Sequence, residues 1–288
     1  MAQKKDDTQI SVVLGSLNRK RFLKAAIQSI RNNGISVPYE IIVVDGGSTD
    51  GSLRWLVKQK DIITIVQHNQ VSPRDRPINR RSWGYFMNLG FKCAQGRFIV
   101  MISDDSLIIP GSIMNGLNYF EDLTLQGRTI GALAYYFRNW PEQKDYFVRT
   151  TLGHKVCVNH GMFLNSALED VGWIDEERYQ FYHADGDLCL KLWQRGYEVV
   201  DCPHAFVEHF RHANSKIRQH NMQKQKDDWA AYLNRWNGIF YDTDKDDTGG
   251  WIYSDYYDHS KTVKNFPKLP AYKMLLISAL VKLKGKFD

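Results

Sequence analysis

The chain has 288 residues and a mass of 33.5 kDa, with 43% hydrophobic, 13% aromatic and 24% charged residues; this excludes a mainly disordered, collagen-like or coiled-coil chain. At roughly 150 residues per domain it amounts to one large or two small domains. Mean hydropathy is −0.44, no apolar run approaches the ~20 residues that span a bilayer, and the net charge of +6 equals that of the stretch from Lys261 onward, with seven lysines and one acid, Asp288.

In chain order, Ile10 to Leu14 is a β-branched apolar run that predicts a buried strand, closed by Gly15 to Asn18. Apolar residues at helical spacing (Phe22, Leu23, Ala26, Ile27, Ile30) predict a helix over 20–32, stopped by Gly34 and Pro38. Ile41 to Val44 is a second strand, which runs into the loop Asp45 to Gly51, and a helix follows near Leu53 to Val57. Ile62 to Val66 is a third strand, 82–94 a helix, and Arg97 to Ile102 a fourth strand. Strands alternating with helices across short links imply parallel pairing with right-handed crossovers. Ligands bind such sheets at the carboxyl ends of the strands, so the loops after Leu14, Val44 and Ile102 are the places to look.

The second half reads differently. Residues 129–164 carry short strands with aromatics, 165–171 and 185–195 read as helices, Gly196 is a helix stop, and Tyr197 to Val200 a strand. Residues 213–240 look helical and polar, and 242–270 irregular. The expected organisation is a flexible tail over 1–8, one catalytic body over 9–210 with halves 9–106 and 107–210, and a C-terminal extension over 211–288 ending in the basic tail. Met1 to Gln9 lacks the apolar segment of a secretory signal, which predicts a cytoplasmic protein. The four cysteines, scattered without metal-type spacing, read as reduced thiols. The lysines of 261–288 flank the apolar run Met274 to Val281, a pattern suited to an anionic membrane surface at about 1 kcal/mol per Lys. However, Lys273 and Lys284 are not separated from Ile277 and Leu280 on a helical wheel, which also suits docking on the body or on a second copy, as in a homo-oligomer. The formally neutral body lacks the basic stripe of a nucleic-acid binder, so no nucleic-acid partner is expected.

Acidic residues mark the strand ends. Asp45 opens a glycine-rich loop and suits either turn chemistry or contact with a base or ribose. Asp104 and Asp105 are adjacent and repel each other unless a cation or donor neutralises them, which suits Mg²⁺ or Mn²⁺ with diphosphate, or else a solvated turn. Asp185 and Asp187 sit at a helix start, where one can cap while the other points into a cleft. His209 follows an apolar segment and reads as structural or as a ligand.

Together these pieces resemble the family 2 glycosyltransferases of the GT-A fold, over about residues 9–210. Ile10 to Asn18 is similar to that family's first strand and nucleotide loop, and Val43 to Ser52 to its second-strand signature. Asn88-Leu89-Gly90, then Ala94 to Asp105, match the segment that ends in the metal motif. Val171 to Asp175 with Asp185 to Tyr197 is similar to the acceptor-side segment with the catalytic base. The resemblance implies an α/β GT-A (Rossmann-like) fold with a mixed, mostly parallel sheet flanked by helices. It implies transfer from a nucleotide-sugar donor to a hydroxyl of a glycan or lipid-linked acceptor, with inversion at the anomeric carbon, a divalent metal, and uridine as the commonest base. By residue, it implies Ser16, Asn18, Asp45, Asn88 and Asp104 for the nucleotide, Asp105 and His209 for the metal, Asp185 as base, and Asp187, with Trp173 and His160, on the acceptor side.

This sequence departs from the pattern in four places. Gly15-Ser16-Leu17 replaces the usual Pro-Thr-Tyr, so no tyrosine stacks on the base. Met87 stands where Arg is common, so that a diphosphate contact is either lost or moved to Arg80 or Arg81. Ser103 replaces the outer carboxylate of the metal motif, and Ala184 replaces a common acid. The aromatics Tyr135, Tyr136, Trp140, Tyr146 and Phe147 suit sugar stacking or core packing, and Gly161 suits a close backbone approach or a turn. Two rival readings stay open: a sugar-phosphate nucleotidylyltransferase, for which Gly15 to Arg21 would be the basic glycine-rich loop, and a non-catalytic carbohydrate-binding scaffold.

Overall fold

The computed structural model describes residues 8–69, 81–139, 143–210, 222, 224–245 and 247–254. The N-terminal tail, Arg80, Trp140 and the basic stretch 261–288 lie outside these residues, and so does its proposed membrane contact. Among the described residues no helix is long and apolar enough to cross a membrane.

The first half forms as the apolar runs dictate. Strand β1 (Ile10–Ser16) is central, parallel to β2 (Tyr39–Asp45) on one side and β4 (Phe98–Met101) on the other, with β3 (Ile62–Val66) beyond β2. Helices α1 (Lys20–Arg31), α2 (Ser52–Leu56) and α3 (Trp83–Cys93) make the crossovers. Alternation along β1 sends Val12 and Leu14 to one layer with Leu23, Ile27 and Ile30 of α1, and Val13 to the other with Met87 and Phe91 of α3. Both faces are covered, so both sets are apolar. The register pairs Ser16 with Asp45, and Met101 with Val13, so the loops after β1, β2 and β4 emerge on one edge.

The second half extends this sheet mainly with antiparallel pairs. Its strands are β5 (Ser106–Ile108), β6 (Ile130–Asn139), β7 (Phe147–Thr151), β8 (Lys155–Cys157), β9 (Gly161–Leu164), β10 (Glu198–His209) and β11 (Trp251–Tyr253). The main order is β11-β7-β6-β9-β4-β1-β2-β3. Helices α4 (Ser112–Leu125), α5 (Asn165–Asp170), α6 (Ala184–Gln194) and α7 (Gln225–Trp236) complete the layers. The GT-A reading of a mixed α/β sheet flanked by helices matches this architecture; its parallel pairs lie among β1 to β4 and between β6 and β10.

Two differences from the sequence reading bear on the site. The strand expected over 197–200 runs on to His209, parallel to β6, with a register shift between Cys202 and Phe206. Pro203 falls within that shift; proline interrupts a ladder except at bulges, so the sequence signal stopped early. Residues 251–253, expected to be irregular, form the edge strand β11 paired with β7. Gly249 makes that approach achievable: its φ is +95°, and a Cβ there would collide with the Thr150 carbonyl.

Candidate functional site

Two adjoining cavities open along the carboxyl edge. The smaller, about 190 Å³, is lined by Ser16, Gly46, Arg81, Met87, Met101 and Asp104 among others. The larger, about 670 Å³, is lined by Asp105, Asn139, His160, Asp185 and His209, and also by Arg149, Trp229 and Trp251. Arg19, Trp83, Ser103, Asn159 and Phe181 line both.

Arg19 organises the wall between the cavities. Its Nη1 lies 2.8 Å from Asp104 Oδ1 and 2.7 Å from Asp105 Oδ2. The Ser16 hydroxyl donates to Asp104 Oδ2 at 2.8 Å. Burial raises the Asp104 pKa to about 6, against the opposing pull of Arg19, and raises that of Asp105 as well. Burial alone would lower the Arg19 pKa, but the two carboxylates outweigh it and raise it. One cation thus neutralises the adjacent acids that the sequence left without a partner. Its signal was the basic run Arg19-Lys20-Arg21 immediately after β1.

Strand β10 delivers His209 to the same place. His209 is in register with Ser106 of β5 and Asn139 of β6, and the Phe210 amide donates to the Asp105 carbonyl at 2.8 Å. His209 Nδ1 is 2.7 Å from Asn139 Oδ1, and its Nε2 is 3.6 Å from Asp105 Oδ1. Below it, Glu208 is buried and accepts from Arg138 at 2.7 Å and from the Tyr146 hydroxyl at 2.6 Å, which fixes the strand end. No group of three metal-type side chains occurs among the described residues. Asp105 Oδ1 is buried without a hydrogen-bond partner. An acidic oxygen and an imidazole nitrogen at this separation fit a divalent ion, which would need further oxygen ligands from outside these two side chains.

Asp185 stands at the start of α6, across the larger cavity. Its Oδ2 accepts from Asn159 Nδ2 at 2.6 Å, and its Oδ1 from the Gly186 amide at 2.9 Å. His183 precedes it with φ +65° and stacks on Tyr232 at 5.2 Å. Burial lowers the His183 pKa, against the attraction of Asp185 and Asp228. His160 is buried edge-on to Phe137 at 5.2 Å, and burial holds its pKa well below the ordinary value. The Gly161 beside it approaches a neighbouring strand rather than an open site, since a Cβ there would meet the Leu133 carbonyl.

The remaining residues singled out in the sequence line neither cavity. Asn18 has φ +53°, and its Oδ1 accepts from the Thr49 amide at 2.7 Å, which ties the first loop to the second. Asp45 is fully buried; its Oδ1 accepts from the amides of Gly47 and Ser48, and its Oδ2 is without a hydrogen-bond partner. Asn88 is turned away from the cleft, bridging the Ile174 backbone and Glu176. Trp173 packs at the second core layer with φ +62°, and its carbonyl accepts from Lys191. Asp187 is fully buried and accepts from Tyr179 and Trp236. Sequence reasoning missed Arg19, Arg149, Asn159, His183 and Trp251 at the cavities. Of these, only Arg19, in the basic run after β1, carried a local signal.

A family model described as "Glycosyl transferase family 2" matches residues 11–163. An uncharacterized glycosyltransferase of Nostoc sp. is 31% identical over 122 residues, 41% of this chain and 35% of that protein. The minor teichoic acid biosynthesis protein GgaB of Bacillus subtilis is 28% identical over 126 residues, 42% of this chain and 13% of that protein. The chain therefore spans well under two thirds of the length of these curated relatives. Among solved structures, S. aureus TarS 1–349 in complex with UDP-GlcNAc aligns with a TM-score of 0.53 at 15% identity, covering 79% of this chain and 67% of that one.

Proposed function

The chain belongs to glycosyl transferase family 2, and we propose that it moves a hexosyl unit from a nucleoside-diphosphate sugar, UDP-linked by preference, to a hydroxyl of a glycan or lipid-linked acceptor, with inversion. The observation that carries this reading is that Asp105 and Asp185, from opposite halves of the fold, line one cavity with Arg19 on its wall. The presence of UDP-GlcNAc in the TarS structure supports the choice of donor.

The nucleoside would enter the smaller cavity, beside Ser16 and Asp104. Asp45, whose Oδ2 is buried without a hydrogen-bond partner, directly precedes Gly46, which lines that cavity. Asp105 and His209 would hold a divalent ion, Mn²⁺ or Mg²⁺, which when bound offsets charge on the diphosphate. Asp185 accepts the proton of the acceptor hydroxyl as that oxygen bonds to the anomeric carbon. The bond from that carbon to the phosphate oxygen breaks on the opposite face, and the electron pair leaves with the nucleoside diphosphate. Asn159 and the Gly186 amide hold the carboxylate so that its remaining lone pairs serve as base. Such a base supplies about 10²–10⁴-fold in rate.

The test is Asp185→Asn with UDP-GlcNAc and Mn²⁺. Its expected result is a fall in kcat of at least about 100-fold with UDP affinity unchanged by calorimetry. Turnover at the parent rate would overturn the assignment. Asp105→Ala is expected to abolish the Mn²⁺ dependence of UDP binding; equal affinity with and without Mn²⁺ in the parent protein counts against the metal role.

A further inference from the structure

Arg149 is the cation of the larger cavity that the mechanism leaves unused. It lies on β7, in register with Cys157 of β8 on one side and Trp251 of β11 on the other. Its Cζ is 4.7 Å from the Trp251 ring centroid, and Trp251 is braced edge-on by Phe147 at 4.6 Å. The guanidinium is therefore held against a fixed indole surface. It is solvent-exposed, and among the described residues it makes no ion pair, unlike Arg19, the other arginine that lines this cavity.

Its strand is set apart in the sheet from the one that ends at the paired acids. Between β4, which ends at the paired acids, and β7 lie β9 and β6, so three strand spacings of about 4.8 Å intervene, on the order of 14 Å. Its charge is felt by His183 and Cys157 on the Asp185 side, and also by His160, whose ring centroid lies 5.5 Å from that of His209. A positive charge there also offsets the repulsion that Asp185, as a carboxylate base, exerts on an incoming anion.

Resting on the reading of the chain as a glycosyltransferase, we propose that Arg149, stacked on Trp251, forms an acceptor-side anion subsite, and that the acceptor carries a phosphate or carboxylate near the hydroxyl that reacts. The guanidinium fork suits both oxyanions, and the exposed indole offers an apolar face to the ring or chain that bears them. Strand β11 thus brings a segment from beyond residue 247 into acceptor recognition.

The experiment titrates two anionic probes, sn-glycerol 3-phosphate and methyl β-glucuronide, against glycerol and methyl β-glucoside, with UDP and Mn²⁺ present, following tryptophan fluorescence. The parent protein is expected to favour at least one anionic probe by about tenfold, about 1.4 kcal/mol. The probe preferred tells phosphate from carboxylate. In Arg149→Gln that preference is expected to fall to about twofold or less, and Arg149→Lys to restore part of it, with UDP affinity unchanged in both variants. No anion preference in the parent, or a preference that survives Arg149→Gln, overturns the proposal. So does a tenfold loss of UDP affinity in Arg149→Gln, which would give Arg149 to the diphosphate. Failure of the parent protein to bind UDP would instead strike at the nucleotide-sugar reading itself.

Discussion

Asp187 separates a structural role from a substrate-binding one. Its Oδ1 accepts from the Tyr179 hydroxyl at 2.9 Å and from Trp236 Nε1 at 2.9 Å, and lies 3.1 Å from Arg235 Nε. These contacts tie α6, whose first turn holds Asp185, to α7 and to the segment before His183. Asp187→Ala would leave the buried Tyr179 and Trp236 donors without this acceptor and leave Arg235 only Asp175, at 2.7 Å. Removing one side of a buried charged network costs about 3–5 kcal/mol. Asp187→Asn keeps an acceptor for Tyr179 and Trp236 and loses only the ion pair, at about 1–2 kcal/mol. At about 2–4 °C per kcal/mol, thermal melts should place the alanine variant on the order of 10 °C below the parent and the asparagine variant a few degrees below. Burial raises the Asp187 pKa, with Arg235 opposing. The folded protein therefore holds that proton more tightly than the unfolded chain. This contribution to stability is present at low pH and is lost as pH rises through the folded pKa, so the deficit of Asp187→Asn should shrink as pH rises from 4. Because Asp187 lines neither cavity, Asp187→Asn should keep kcat within a few-fold. An alanine variant within 1 kcal/mol of the parent, or an asparagine variant that melts like the parent but has lost activity 100-fold, would refute the reasoning; the second result would place Asp187 against the acceptor.

Arg19→Ala should leave the buried Asp104 and Asp105 carboxylates without their counter-charge and cost about 3–5 kcal/mol in melts without metal. Millimolar Mn²⁺ should recover more of the melting temperature in this variant than in the parent, and an equal gain in both would show that the ion does not enter there. His183 has a folded pKa below its unfolded value, so its contribution is present above the unfolded pKa and is lost as pH falls through the folded one. Below pH 6.5 His183 and the buried His160 should each lower the stability of the parent by up to about 1.4 kcal/mol per pH unit; His183→Asn, which tolerates the left-handed backbone, should make that slope shallower, and an unchanged slope would count against it. Gly161→Ala should cost about 1–3 kcal/mol by pushing β9 off β6; a melt equal to the parent's would show that the strands part without strain.

What the sequence revealed follows from how local each signal is. Strands β1, β2 and β4 are short β-branched runs buried on both faces, and the helices between them keep a clean period, so their order and parallel pairing were legible. So were the acids at the strand ends, because a carboxylate after a buried strand needs a partner. The partner itself was harder to read. Arg19 reaches residues 85 and 86 positions away, a contact that no local pattern announces. Asn88 and Asp187 carried motif positions, yet their side chains are used in packing segments of the chain together. Strand β10 was cut short at Pro203 because proline argues against a strand, and only the tolerance of a bulge lets it run on to His209.

The two ends of the cleft therefore differ in how they are built, and that difference bears on function. The end proposed for the nucleotide comes from consecutive strand–helix units whose loops meet at one edge, a placement set by the order of the chain and the hand of its crossovers. The end proposed for the acceptor comes from strands added by long-range pairing: β10 returns beside β6, and β11 crosses about 100 residues to reach β7. Because β7 and β11 pair along the outer margin of the sheet, their side chains can change while the β1–β2–β4 arrangement stays intact. Arg149 and Trp251 sit on that margin and reach the cavity only through the pairing. Substitutions there are expected to change which acceptor is used and to leave the donor site unaltered, because no hydrogen bond or ion pair among the described residues joins Arg149 to Asp104, Asp105 or Arg19.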